Sequence, residues 1–93
     1  MFELKLIDMF GDNVQTRLLE HLLENPSKVF TQAEIAREMG CSPSSVSRVI
    51  ELLKKERVVM VENVGELMKA IALNVKEPRT DTLIKFYSEL KRL

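Results

Sequence analysis

Residues 41–48 read CSPSSVSR. Ser42, Ser44, Ser45 and Ser47 bring four hydroxyls close together, and Arg48 adds a guanidinium four positions after Ser44. A hydroxyl gives and takes single hydrogen bonds, and a guanidinium presents a planar fork of donors. That set suits recognition of an acceptor-rich surface better than bond-making. A nucleophilic serine needs a base within reach and a third group to orient it. The chain has one His (His21) and one Cys (Cys41), no glycine-rich phosphate loop and no carboxylate pair in a recognisable cleft. Enzymatic chemistry and a multi-cysteine metal site are therefore not expected, and no cofactor is called for.

The elements that must position these groups can be read outward from them. Ser42 suits a helix N-cap and Pro43 the first helical position. Over 43–56, Val46, Val49, Ile50 and Leu53 recur with helical spacing and form the stripe to be buried. Ser44, Arg48, Glu51 and Lys55 then lie on the opposite side, with Ser45 and Ser47 at its flanks. Lys54, Lys55 and Arg57 could hold phosphates, although cations also favour a helix C-terminus for its dipole alone. Just upstream, Thr31–Glu34 (TQAE) fits a capping box. The helix it opens turns Ala33, Ile35, Ala36 and Met39 inward and stops at Gly40. Only Cys41 separates that glycine from Ser42, so 31–56 reads as helix, tight turn, helix.

The flanks follow the same logic. Residues 3–10 suit a short helix with Leu6, Ile7 and Phe10 on one side, ended by Gly11. Asp12 can cap a second helix whose stripe is Val14, Leu18, Leu19, Leu22 and Leu23, closed by Pro26. Val29–Phe30 suits a very short strand. From residue 58 the pattern becomes β-branched, giving strands near 58–63 and 67–74 around a tip with Gly65. After Pro78, Thr80 or Asp81 can cap a last helix, 81–92, with Leu83, Phe86, Tyr87 and Leu90 on one face.

The whole chain has 93 residues and suits one small domain, with a core near 11–75 and terminal helices at 3–10 and 81–92. There is no run long enough to span a membrane, and the start carries Glu3 and Asp8, unlike a signal peptide. A cytoplasmic location is the simplest expectation. Net charge is zero, yet it is uneven: residues 28–57 hold six basic against four acidic groups, while 1–27 hold two against five.

The order helix, short strand, helix, turn, helix, hairpin is that of a winged helix-turn-helix, mainly α with a small β-hairpin. A helix in the DNA major groove touches base edges chiefly with its N-terminal residues, and small hydroxyls there allow close approach. The segment TQAEIAREMGCSPSSVSRVIELLKKERVVMV resembles the central part of prokaryotic winged helix-turn-helix transcription regulators of the MarR-like type. The match rests on Thr31, Glu34, Ile35, Ala36, Gly40, Ser42, Ser45, Ser47, Arg48 and Leu53.

The resemblance implies that 43–56 is the recognition helix and 58–74 the wing. The candidate DNA contacts are Ser42, Ser44, Ser45, Ser47 and Arg48, then Lys54, Lys55 and Arg57, then Thr31, Gln32 and Lys69. Two positions depart from the pattern. Many relatives carry glycine where this chain has Arg57, at a strain of about 1 kcal/mol if Arg57 is left-handed. Wings in such families are often basic, whereas Glu62 and Glu66 flank this tip and Lys69 is its one cation. The expected partners are double-stranded DNA and a second copy joined through the terminal helices, reading a palindrome. A winged-helix protein-interaction module is the alternative, favoured by the acidic wing.

Overall fold

The leucine stripe at 14–23 becomes the buried side of a helix on which the rest of the chain is assembled. The structure is a computed structural model that describes residues 6–93. In chain order the elements are α1 (Leu6–Phe10), α2 (Val14–Glu24), β1 (Phe30–Thr31), α3 (Gln32–Met39), α4 (Pro43–Lys55), β2 (Val59–Val64), β3 (Met68–Leu73) and α5 (Pro78–Arg92). Leu18 and Leu22 of α2 meet Ile35 of α3, Val46 and Ile50 of α4, and Phe30 and Ile71 of the sheet in one core. Each such side chain, fully removed from water, contributes roughly 1.5–3 kcal/mol.

The sheet has three antiparallel strands in the order β1–β3–β2. Phe30 and Val61 both pair with Ile71, from opposite sides of β3. The strand expected at Val29–Phe30 is displaced by one residue, to Phe30–Thr31. Side chains alternate along a strand, so burying Phe30 turns Val29 out to solvent.

Other boundaries differ from the expectation for identifiable reasons. Asn13, not Asp12, caps α2, its side-chain oxygen accepting from the Thr16 N–H at 2.9 Å. Asp12 instead lies 3.8 Å from Arg17. α5 begins at Pro78 rather than 81, with the proline in the first turn it tolerates. Thr80, expected as a cap, sits inside that turn and is fully buried. Ala33 and Phe86 face solvent, because the helices they occupy bury narrower stripes than their spacing allowed. The expected first helix appears as Leu6–Phe10, with Leu6 buried and Phe10 60% exposed; Phe2 and positions 3–5 lie outside the described residues. No helix among the described residues is long and apolar enough to cross a membrane.

Candidate nucleic-acid interface

α3 starts with both halves of a capping box: Glu34 N–H donates to Thr31 Oγ1 (3.1 Å), and Thr31 N–H donates to Glu34 Oε1 (3.0 Å). The hydrogen bond from Thr31 holds the Glu34 carboxyl below its usual range. The Thr31 hydroxyl is thus already engaged, and Gln32 beside it is half-buried. Gly40 ends α3 in the left-handed conformation, φ 64°. Cys41 N–H then returns to Ala36 O (3.0 Å), which turns the chain directly into α4. Cys41 is half-buried, its thiol 3.6 Å from Met39 O. Arg17 on α2 reaches the same carbonyl at 3.2 Å and secures the turn.

Ser42 caps α4, accepting from Ser45 N–H at 3.3 Å and donating to Ser45 Oγ at 2.9 Å. Ser44 Oγ lies 3.3 Å from Ser42 Oγ. The three hydroxyls form one exposed cluster at the helix start. Val46, Val49, Ile50 and Leu53 are buried, and Ser44 and Arg48 point away from them into solvent. Ser47 is half-buried on the flank. Lys54 and Lys55 lie in the last turn, about 16 Å from Ser44 at 1.5 Å per residue. The predicted residues therefore fall into two groups at the ends of one rod. Leu52, exposed on the flank, was not anticipated as part of this surface.

The wing closes a third side. Asn63 and Lys69 are paired across β2 and β3. By alternation they share the strand face of Val61 and Ile71, which looks toward the helices. Glu62 belongs to the opposite face, with Met60 and Ala72. A groove of about 460 Å³ is bordered by Thr31, Gln32, Pro43, Asn63, Glu66 and Lys69. It brings Lys69 to the side of the two helix starts and turns Glu62 away, which resolves part of the wing's unfavourable charge. Leu67 at the tip is wholly exposed.

Ion pairing sharpens this asymmetry. Arg17, Arg79, Lys85, Lys91 and Arg92 each sit within 4.0 Å of a carboxylate, and all belong to α2 or α5. Among the described residues Arg37, Arg48, Lys54, Lys55, Arg57 and Lys69 form no ion pair. Lys28 and Lys76, in the loops before β1 and after β3, form none either, so in a chain with zero net charge six of the eight cations without an ion pair among the described residues lie on α3, on α4 and its terminal turn, and on the wing.

The end of α4 departs from sequence reading most. Arg57 has φ 64°, the left-handed conformation that ordinarily favours glycine at a helix end. Arg57 N–H donates to Lys54 O (3.0 Å) and Val58 N–H to Leu53 O (2.9 Å), the two hydrogen bonds of a Schellman turn. Asn74, Arg79 and Thr80 reach the carbonyls of this turn from beyond the wing. None of the three is expected at the site from sequence: Asn74 falls at the end of the expected second strand, Thr80 is a candidate cap and Arg79 has no assigned role, and the available signal is three hydrogen-bonding side chains on either side of Pro78.

His21 is not alone on α2. Its Nε2 lies 3.0 Å from Glu38 Oε2 on α3, and its ring packs 5.0 Å from Phe30. The two atoms form no hydrogen bond, and Nε2 is buried without a hydrogen-bond partner. Among the described residues no three His, Cys, Asp or Glu gather as a metal site would need.

These elements can be set beside known proteins. Reduced HlyU from Vibrio cholerae N16961 superposes with a TM-score of 0.67 at 16% identity, over 91% of this chain and 83% of its own. A MarR-family transcriptional regulator from Rhodococcus sp. RHA1 gives 0.66 at 17% identity, over 94% of this chain and 60% of its own. Those identities establish a shared fold. No curated protein matches the sequence. The MarR family model matches residues 12–66, from the start of α2 to the wing tip, which is more than half the chain. With the capped turn, the outward α4 face and the wing all in place, the chain belongs to the MarR family of winged-helix transcription regulators.

Proposed function

We propose that the protein is a sequence-specific DNA-binding transcription regulator in which α4 enters the major groove. The observation that carries this reading is the exposure of Ser44 and Arg48 on a helix whose reverse side is core, next to cations left without ion pairs. Arg48 matches the two acceptors of a guanine edge. Ser44, Ser45 and Ser47 line the close approach. The N-terminus of α4 and its capping Ser42 hold a phosphate through free N–H groups. Lys54, Lys55 and Arg57 hold a second stretch of backbone, and Gln32 and Lys69 a third. Thr31 acts chiefly as a cap.

A two-fold homodimer completes the reading, because paired recognition helices about 34 Å apart read a palindrome. Apolar side chains left exposed on the terminal helices, Phe10 and Phe86 among them, and Leu93 just past the end of α5 support an interface there. Selection of bound duplexes from a random pool tests the proposal. Enrichment of a palindrome with two half-sites one helical turn apart is the expected result. Recovery of no preferred sequence would overturn it.

A second reading has one observation in its favour. The outer wing face leaves Met60, Val64 and Met68 exposed around Glu62, which suits a protein partner better than a polyanion. Binding to random duplex across a salt series separates the two, because phosphate contacts weaken steeply with salt. Undetectable or salt-insensitive binding at low ionic strength would favour the protein partner.

A further inference from the structure

Three side chains that follow the wing converge on the carbonyls of the turn that ends α4. Asn74 Nδ2 donates to Arg57 O at 3.2 Å, and the Asn74 backbone N–H donates to Val58 O at 2.9 Å. Arg79 Nη2 donates to Glu56 O at 3.2 Å, with Nη1 4.0 Å from the Glu56 carboxylate. Thr80 Oγ1 lies 3.4 Å from Val58 O and 3.5 Å from Arg57 O. Thr80 is the one fully buried polar side chain among the described residues.

A helix end leaves carbonyls without partners inside the helix, and water ordinarily serves those that are exposed. Here Asn74, together with Arg79 and Thr80 from the start of α5, serves the carbonyls of the turn that ends α4. Burying a hydroxyl costs free energy unless it is hydrogen-bonded. An apolar side chain of the same shape would fill the space without that cost. The contact that distinguishes Thr80 is therefore directional.

We infer that Thr80 and Asn74, assisted by Arg79, are positioning residues that set the pose of the recognition helix. This rests on the reading of α4 given above. Val46, Val49, Ile50 and Leu53 hold α4 to the core by apolar contact, which is not directional. A helix held only in that way can slide or rotate slightly at little cost. Hydrogen bonds weaken steeply with misalignment, so those on Glu56, Arg57 and Val58 fix rotation and axial register at one end. Arg48 and the serines inherit that register. Because the donors belong to α5 and the segment leading into it, any displacement of α5 is transmitted to α4 through these same bonds.

The test compares Thr80→Val, which keeps the shape and removes the donor, with Thr80→Ser, which keeps the hydroxyl. Asn74→Ala serves as a second variant that removes a more exposed bond and spares the buried site. Each is measured for binding to a selected duplex and to a random duplex of equal length, at a temperature where all are folded. Loss of one hydrogen bond corresponds to about two- to tenfold. Thr80→Val and Asn74→Ala should lower the selected-to-random affinity ratio by that factor, and Thr80→Ser should hold the wild-type ratio. A merely structural role would lower the melting temperature and leave the ratio unchanged, which would overturn the inference. Amide exchange at Arg57 and Val58 gives an independent reading: it should quicken in Thr80→Val and not in Thr80→Ser. If the wild-type chain binds no duplex, the reading of α4 fails while exchange still decides the brace. Unchanged exchange rates would show that the brace does not hold the helix end.

Discussion

Replacing Arg57 with glycine should make this protein more stable and a poorer DNA binder. An L-residue in the left-handed region costs about 1–2 kcal/mol, and Arg57 sits there at φ 64°. Glycine relieves that strain but adds unfolded-chain entropy of about 0.5–1 kcal/mol, so the net gain lies between about 0 and 1.5 kcal/mol, centred on ~0.75 kcal/mol. The side chain is exposed and forms no ion pair among the described residues, so its removal forfeits little. For a chain of this size, each kcal/mol raises the melting temperature by about 4–8 °C. The assay is urea denaturation at fixed protein concentration, where the midpoint should rise with an unchanged slope. Arg57→Ala is the necessary control, since it removes the guanidinium and keeps the strain. Its stability should stay within about 0.5 kcal/mol of wild type. Each phosphate contact adds about 0.9 to the salt dependence of binding. Both variants should therefore lose about one unit of that slope. If Arg57→Gly is no more stable than wild type, or Arg57→Ala gains as much, strain at this turn is not the cause. If neither changes the slope, Arg57 meets no phosphate and its strain has no functional counterpart.

Arg48→Ala should cost about 1–3 kcal/mol on the selected duplex and relax its preference at one base pair, read by competition with single-base variants. Lys55→Ala should instead weaken binding to all sequences alike and reduce the salt slope by about one. Thr31→Ala should destabilise folding by about 1 kcal/mol through loss of the cap, measured by denaturation. Glu34 has a lowered carboxyl pKa in the folded chain, so its contribution is fully present above the ordinary glutamate value of about 4.3. That contribution should fade as pH falls through the folded value, and a Glu34→Gln variant should show a shallower acid-side decline in stability. Ile71→Ala, at a fully buried position between β1 and β2, should cost about 2–5 kcal/mol by chemical denaturation.

What the sequence by itself determined rests chiefly on residues three or four apart, although even there the cap of α2 fell on Asn13 and not on Asp12. The Thr31–Glu34 box, the Ser42–Pro43 start, the stop at Gly40 and the apolar stripe of α4 are local agreements between side chain and backbone. They were legible because their partners are near neighbours in the chain. The hairpin was legible for the same reason, from its alternation and its tip.

Tertiary structure alone decided which partners met across long separations. β1 joined the sheet because Phe30 was buried against Ile71. The two sides of the wing gained different meanings only when the helix starts were placed beside one of them, near Lys69. The cations of α2 and α5 found carboxylates, and those of α4 did not, by an arrangement that composition cannot express. Thr80 was moved from helix cap to buried donor by carbonyls 22 and 23 positions away. Such contacts follow from how elements pack, and packing is non-directional enough that no short-range pattern records it.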